Sequence, residues 1–260
     1  MIRENFLQKK LASGHAVIGT WIMIPSPLTV DIIASTGLDF VIIDREHGPI
    51  TFETAQEMAI ACESRGVSPV MRVGDIDRSF IQNALDIGVH GIQVPNIDSK
   101  DQASEVVKYS KYPPIGDRGF SPFTRAGGYS IHNSKNLMSD ANANSLVILN
   151  IEGNDSIRNF DEILEIDNVD IYFVGLFDLS KALGIPGDVN NPKVHNLLEE
   201  IIIKAQKKNK FVGTIATNKE MMHKFKNMGV KYILYLVDCE ILRSGYESVV
   251  SSFRGEEKNV

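Results

Sequence analysis

Short apolar runs return eight times along this chain, at 16–22, 40–43, 69–73, 91–94, 146–151, 171–174, 211–215 and 232–237. Runs of this kind are what strands look like when both faces of a parallel sheet are covered. The segments between them carry a helical period. In 51–65, Phe52, Ala55, Met58, Ala59 and Cys62 fall on one face, and Arg65-Gly66 makes a stop. Segments 79–87, 99–109, 156–165, 192–208 and 218–228 behave likewise, with Gly88 and Gly229 closing two of them. Strands alternating with helices imply parallel β–α units. Eight such units in 260 residues match the size of a (β/α)8 barrel. A doubly wound open sheet is the rival, but no glycine-rich phosphate loop follows the first run. The expected architecture is a TIM barrel forming one domain over 1–260.

Composition narrows the function. A net charge of −6 argues against a nucleic-acid surface, which needs a basic face. Cys62 and Cys239 are the only cysteines and lack metal-type spacing, so no disulfide framework is implied. The start, Met1-Ile2-Arg3-Glu4-Asn5, is too polar for a signal peptide, and no apolar run reaches membrane-spanning length. A cytoplasmic protein without membrane contact is the expectation. One connection is unusually long, and its part from about 112 to 145 is rich in Gly, Ser and Asn. Long loops in compact domains tend to be functional. We expect this one over the top of the barrel, as a lid or a subunit contact. The tail, 254–260, is expected to fray.

In a barrel of this kind, chemistry gathers where strands end at the carboxyl face. The second run, Phe40-Val41-Ile42-Ile43, breaks abruptly into Asp44-Arg45-Glu46-His47. Arg72 falls at the end of the third run. Asn150 and Glu152 end the fifth, and strand alternation points both to one side. Asp178 follows the sixth, in Gly175-Leu176-Phe177-Asp178, while Thr214 and Asp238 end the seventh and eighth. Glu152 and Asp178 make a minimal oxygen pair for a hard divalent cation such as Mg2+ or Mn2+. His47 is the group best suited to move protons near neutral pH. Arg72 can fork onto a carboxylate or stabilise a developing oxyanion. A structural ion-pair network would also explain the cluster, and on spacing alone both explanations stand.

Taken together, the motifs are recognisable. They are Ile43-Asp44-Arg45-Glu46-His47-Gly48-Pro49, Val70-Met71-Arg72-Val73, Leu85-Asp86-Ile87-Gly88, Tyr112-Pro113-Pro114-Ile115-Gly116-Asp117-Arg118-Gly119, Ile151-Glu152 and Val174-Gly175-Leu176-Phe177-Asp178-Leu179-Ser180. In this order the chain resembles the HpcH/HpaI family of metal-dependent (class II) pyruvate aldolases, from about residue 19 to about 244. The resemblance implies reversible aldol cleavage of a 4-hydroxy-2-oxo acid to pyruvate and an aldehyde, with Mg2+, Mn2+ or Co2+ as cofactor. It implies Glu152 and Asp178 as metal ligands, His47 as the base and Arg72 as the group facing the pyruvate enolate. It implies that Asp86 raises the basicity of a histidine across a subunit boundary, and that Asp44 orients His47 or its surroundings. Backbone amides at Phe177 and Asp178 would hold the pyruvate carboxylate. Barrels of the family exchange their last helix, here about 239–253, and assemble as hexamers.

Four positions depart from the family pattern. Asn150 stands where the family usually has glutamine, and would reach a pyruvate oxygen less easily. Leu176 and Phe177 replace proline and a small residue. The Phe177 ring either narrows the pocket or packs backwards between strands and helices, and we expect the second. Arg45 replaces a small residue and would face an acidic acceptor or a neighbouring chain. A Schiff-base route is disfavoured, since no lysine ends a strand. Alternatives are related enolate chemistry, as in an acyl-CoA lyase or a decarboxylase or synthase, and a non-catalytic barrel that binds oxo acids.

Overall fold

All eight apolar runs form strands of one closed parallel barrel in a computed structural model that describes residues 5–255. They are β1 (Val17–Ile22), β2 (Phe40–Asp44), β3 (Ser68–Arg72), β4 (Gly91–Val94), β5 (Leu146–Ile151), β6 (Ile171–Val174), β7 (Phe211–Ala216) and β8 (Tyr232–Val237), and β8 pairs back onto β1. The helices are α1 (Phe6–Ala12), α2 (Pro27–Ala34), α3 (Phe52–Ser64), α4 (Arg78–Asp86), α5 (Lys100–Ser110), α6 (Ser134–Asn144), α7 (Asn154–Arg158), α8 (Phe160–Ile163), α9 (Leu176–Ala182), α10 (Pro192–Lys207), α11 (Lys219–Met228) and α12 (Asp238–Arg254). The expected TIM barrel is therefore the fold. The polar start, 1–4, and the expected frayed end, 256–260, lie outside the described residues. Arg254 ends α12, and Gly255 caps it in the left-handed region.

Alternation along the strands divides the apolar side chains into two cores. Val17, Phe40, Ile42, Val70, Ile148, Ile171, Phe173, Tyr232 and Leu234 fill the barrel, with Leu7 and Leu11 of α1 plugging its amino end. Phe40 stacks on Tyr232 with ring centroids 4.1 Å apart. Gly19 makes room for that pair, since a Cβ there would lie 2.5 Å from the Phe40 ring. The outer core lies between strands and helices. In α3 the buried residues are Ala55, Met58, Ala59 and Cys62, four of the five that the helical period put on one face. The side chains of Thr51, Asp77, Ser99 and Asn218 cap their helices by accepting a backbone N–H. The 156–165 helix is two short ones, α7 and α8, broken at Asn159, whose amide reaches out to the Asp98 carbonyl.

The long segment before β5 sits elsewhere than expected. A helix antiparallel to its strand returns the chain to the amino end, so everything between α5 and β5 starts and finishes there. The segment is tied to that end by Arg118 to Asp86, by Arg125 to the Ile87 and Gly88 carbonyls, and by the Asn5 amide, which donates to the Asn144 and His90 carbonyls. It includes α6, and it does not cover the carboxyl-terminal mouth. Length alone shows that an insertion exists, while its position after a helix decides which end it decorates.

The last helix stands off its own barrel. Among the residues of α12 only Asp238 is buried, and Ile241, Leu242, Tyr246, Val249, Val250 and Phe253 are exposed. Among the described residues no helix is long and apolar enough to cross a membrane.

Candidate active site

Toward the carboxyl end, the inward side chains turn from apolar to polar. Asp44 follows Phe40 and Ile42 on β2, and Arg72 is its register partner on β3. Arg72 Nε donates to Asp44 Oδ1 at 2.9 Å and Nη2 to Oδ2 at 2.6 Å, a two-pronged pair that fixes the guanidinium plane. Asp44 is 1% exposed and also accepts the backbone N–H of Glu46 at 3.0 Å, so one carboxylate locks both Arg72 and the turn carrying His47. Burial alone would lower the Arg72 pKa. The hydrogen bond and charge of Asp44, with Glu46 and Glu152, outweigh it and raise the pKa. The indole of Trp21 lies against the guanidinium, 4.9 Å from ring centre to Cζ.

Carboxylates surround this arginine. Glu46 Oε2 lies 2.9 Å from Arg72 Nη1. Burial raises its pKa, Arg72 and His47 oppose the rise, and the charges of Asp44 and Asp178 add to it. Glu152, just past β5, accepts the Asn96 N–H on Oε1 at 2.9 Å and the Asn150 amide on Oε2 at 3.2 Å. Its pKa is also raised, first by burial, with the Asn96 N–H opposing and the charges of Glu46 and Asp178 adding. Gly175 admits this carboxylate, since a Cβ there would sit 3.1 Å from Oε2. Asp178 is exposed in the first turn of α9. His47 is also exposed, its Nε2 3.9 Å from Glu46 Oε1.

Among the described residues no group of three or more His, Cys, Asp or Glu is poised around a single point. The pair Glu152 and Asp178 nevertheless fits a hard divalent cation. Both are oxygen donors, Glu152 is held by two hydrogen bonds, and the charge of Asp178 adds to the cost of ionising Glu152, a cost that a cation would offset.

Several expectations need correction. Asn150 is 1% exposed and both ends of its amide are engaged by the protein, Oδ1 by Gln93 Nε2 at 2.8 Å and Nδ2 by Glu152. The Phe177 ring is 50% exposed and does not pack back into the core. Arg45 donates to the Ile50 carbonyl and stacks 3.7 Å from the Phe52 ring centre. Asp238 accepts the N–H groups of Met23 and Ile24 and so ties the loop after β1 in place, while Thr214 donates to the Val174 carbonyl. Asp86, at the end of α4, lies at the amino end of the barrel, paired with Arg118 at 2.6 Å and remote from His47 of its own chain. Sequence reading missed Trp21 and Gln93. Gln93 left a signal, as the one polar side chain in the run 91–94 at an inward position level with Arg72.

An eight-stranded parallel barrel with an arginine set among carboxylates at its carboxyl-terminal mouth is the build of a barrel enzyme. The model of the HpcH/HpaI aldolase/citrate lyase family matches residues 17–243, and the chain belongs to that family. It is 31% identical to the 2-keto-3-deoxy-L-rhamnonate aldolase of Klebsiella pneumoniae, over 97% of this chain and 94% of that one. Among solved structures, an HpcH/HpaI aldolase from Desulfitobacterium hafniense superimposes with a TM-score of 0.91 at 29% identity, covering 98% of each chain. The citrate synthase SbnG superimposes at 0.86, also at 29% identity, over 98% of this chain and 100% of that one. The chain is a carbon–carbon lyase of the class II aldolase kind, and the family's dependence on a divalent metal applies to it.

Proposed function

We propose that the mouth of this barrel cleaves a 4-hydroxy-2-oxo acid reversibly to pyruvate and an aldehyde, with Mg2+ or Mn2+ held by Glu152 and Asp178. The observation that carries this reading is Arg72, locked by Asp44 in the field of Glu46 and Glu152. A divalent cation held by Glu152 and Asp178 would supply Lewis acidity to the bound oxo acid. Arg72, unable to swing or to lose its proton, faces the oxygen on which enolate charge develops. His47 accepts the 4-hydroxyl proton as the bond between C3 and C4 breaks, and its exposed ring has room to approach a bound substrate. Asp44 acts on Arg72 and on the backbone of the His47 turn. The first-turn amides of α9 at Phe177 and Asp178 are free of helix partners by geometry and suit a substrate carboxylate.

Asp86 can serve a histidine only in another subunit, because its own barrel separates it from His47. The apolar face of α12 supports an exchanged last helix and a homo-oligomer, a hexamer on the family pattern. A cytoplasmic location accords with two free cysteines, Cys62 buried and Cys239 exposed. A second reading is bond formation from an enolate at the same site, favoured by the likeness to a citrate synthase. The test is pyruvate release, coupled to lactate dehydrogenase, over a panel of 4-hydroxy-2-oxo acids with metal stripped and with Mn2+ restored. Metal-dependent pyruvate from at least one member is expected, and none from any member would overturn the reading.

A further inference from the structure

Below the mouth, three polar side chains join β4 to the end of β5. Gln93 Nε2 donates to Asn150 Oδ1, and Asn150 Nδ2 donates to Glu152 Oε2. Gln93 and Asn150 are 0% and 1% exposed, so no bulk solvent competes for them. The direction of this relay is fixed from one end. An ionised carboxylate only accepts, so Asn150 must turn its NH2 toward Glu152. Its Oδ1 then faces Gln93 and needs a donor, so Gln93 must turn its own NH2 inward along the relay. Gln93 Oε1 is left facing away, and it meets no donor among the described residues.

A buried carbonyl without a partner destabilises a fold, and native chains hold few of them. Its neighbours Gly91, Ile92 and Val94 are all buried, and apolar side chains at both 93 and 150 would leave neither amide carbonyl unpaired. Packing therefore gives no reason for glutamine here, whereas the relay does. We infer that Gln93 is a positioning residue for the cation site. It holds the short Asn150 amide in the one orientation that steadies Glu152 Oε2, while the Asn96 N–H steadies Oε1. Glu152 is thereby aimed before a cation arrives, as partners behind a ligand typically do. Asn150, shorter by a methylene than the glutamine usual in the family, is reached from β4 because Gln93 supplies the missing length.

This inference rests on Glu152 being a cation ligand, as in the reading above. The experiment is calorimetric titration of the metal-stripped full chain with Mn2+, alongside melting temperatures of the metal-free proteins. Gln93→Met keeps the length but cannot donate. It should raise the Mn2+ Kd about 10- to 100-fold while the melting temperature changes little, since the unpaired Gln93 carbonyl is exchanged for an unpaired Asn150 one. Asn150→Leu should weaken Mn2+ to a similar degree, and adding Gln93→Met to it should weaken binding no further. A Kd for Gln93→Met within twofold of the parent overturns the inference, as does a full additional loss in the Asn150→Leu background. Should Gln93→Met not fold, unchanged Mn2+ affinity in Asn150→Leu overturns it instead. Glu152→Gln separates the two claims. If that variant binds Mn2+ like the parent, the ligand assignment fails. If it loses Mn2+ while Gln93→Met keeps it, only the role of Gln93 fails.

Discussion

The two ends of the barrel hold similar charged residues and treat them differently. At the amino end charges are matched. Arg118 pairs with Asp86, Arg125 and His90 both meet Glu63, and the buried Lys111 ammonium donates to the Asn142 and Ser145 carbonyls. At the mouth Arg72 sits among Asp44, Glu46 and Glu152, with Asp178 near enough to add to the cost of ionising the two glutamates. Negative charge there exceeds what the protein supplies to balance it. A fold gains nothing from such an excess, whereas a cation and an anionic substrate do. Violations of local electrostatic rules gather where function is.

The sharpest way to break this contrast is to remove one arginine at each end. Arg72→Met should strand the buried Asp44 carboxylate and leave Glu46 uncompensated, costing about 3–5 kcal/mol of stability. It should also cut turnover by about 10²–10³-fold through lost oxyanion stabilisation. Arg125→Met should bring a comparable stability loss, since Arg125 pairs with Glu63 and holds two backbone carbonyls, yet leave kcat per folded molecule near the parent value. Thermal melts and kinetics on both variants decide. Equal effects on kcat would show that the amino end is also part of the reaction.

His47 lies on the other side of the comparison, because it bears almost no structural load. It is exposed and its nearest carboxylate is 3.9 Å away. His47→Ala should lower kcat by about 10²–10⁴-fold, raise KM little and leave the melting temperature alone. Unchanged turnover would mean that another group moves the proton.

How much of this could be read from the residues follows the same division. The eight strands were legible because burial on both faces leaves an uninterrupted apolar run, and α3 because its apolar period survives in the packed helix. Asp44, Arg72 and Glu152 were legible because the carboxyl-terminal ends of several strands of one barrel meet at a common mouth. Pairing was not legible. Nothing in the spacing of Asp238 shows that it would be consumed by the N–H groups of Met23 and Ile24, or that Arg45 would turn back onto Phe52. The segment 112–145 was misplaced because its composition suggested a lid, while the direction of α5 determined its location. Gln93 was passed over because one polar residue in a four-residue strand has little weight until its inward neighbours are known.

Stability against pH probes the mouth more finely. Both Glu46 and Glu152 have raised pKa values in the folded chain. Above their ordinary range the unfolded chain has released protons that the folded chain still holds, so these groups make stability fall as pH rises from about 4.5 through the raised values. The metal-free protein should therefore lose part of its stability across that window. Glu152→Gln should flatten the slope, and it should also abolish the rise in melting temperature that Mn2+ gives the parent by mass action. Melts at several pH values, with and without Mn2+, measure both effects. A mutant with the parental slope and the parental Mn2+ response would place the excess charge elsewhere.

A small effect on stability is also expected at Phe177, and it tests whether an exposed apolar residue at the mouth belongs to the fold or to the substrate. Had the ring packed inward, its removal would leave a cavity costing about 3–5 kcal/mol. It is half exposed instead, while its neighbours Leu176 and Leu179 are buried and hold α9 in place without it. Phe177→Ala should therefore change stability by less than about 0.5 kcal/mol. The ring stands one residue before Asp178 and is bulky where the family usually has a small side chain. If it limits the space beside the cation, the variant should accept bulkier aldehydes in the synthetic direction and lose efficiency with short ones. Aldehyde profiles and melting temperatures of parent and variant together decide the matter. A drop of several kcal/mol would return the ring to the core, and an unchanged profile with unchanged stability would remove Phe177 from both roles.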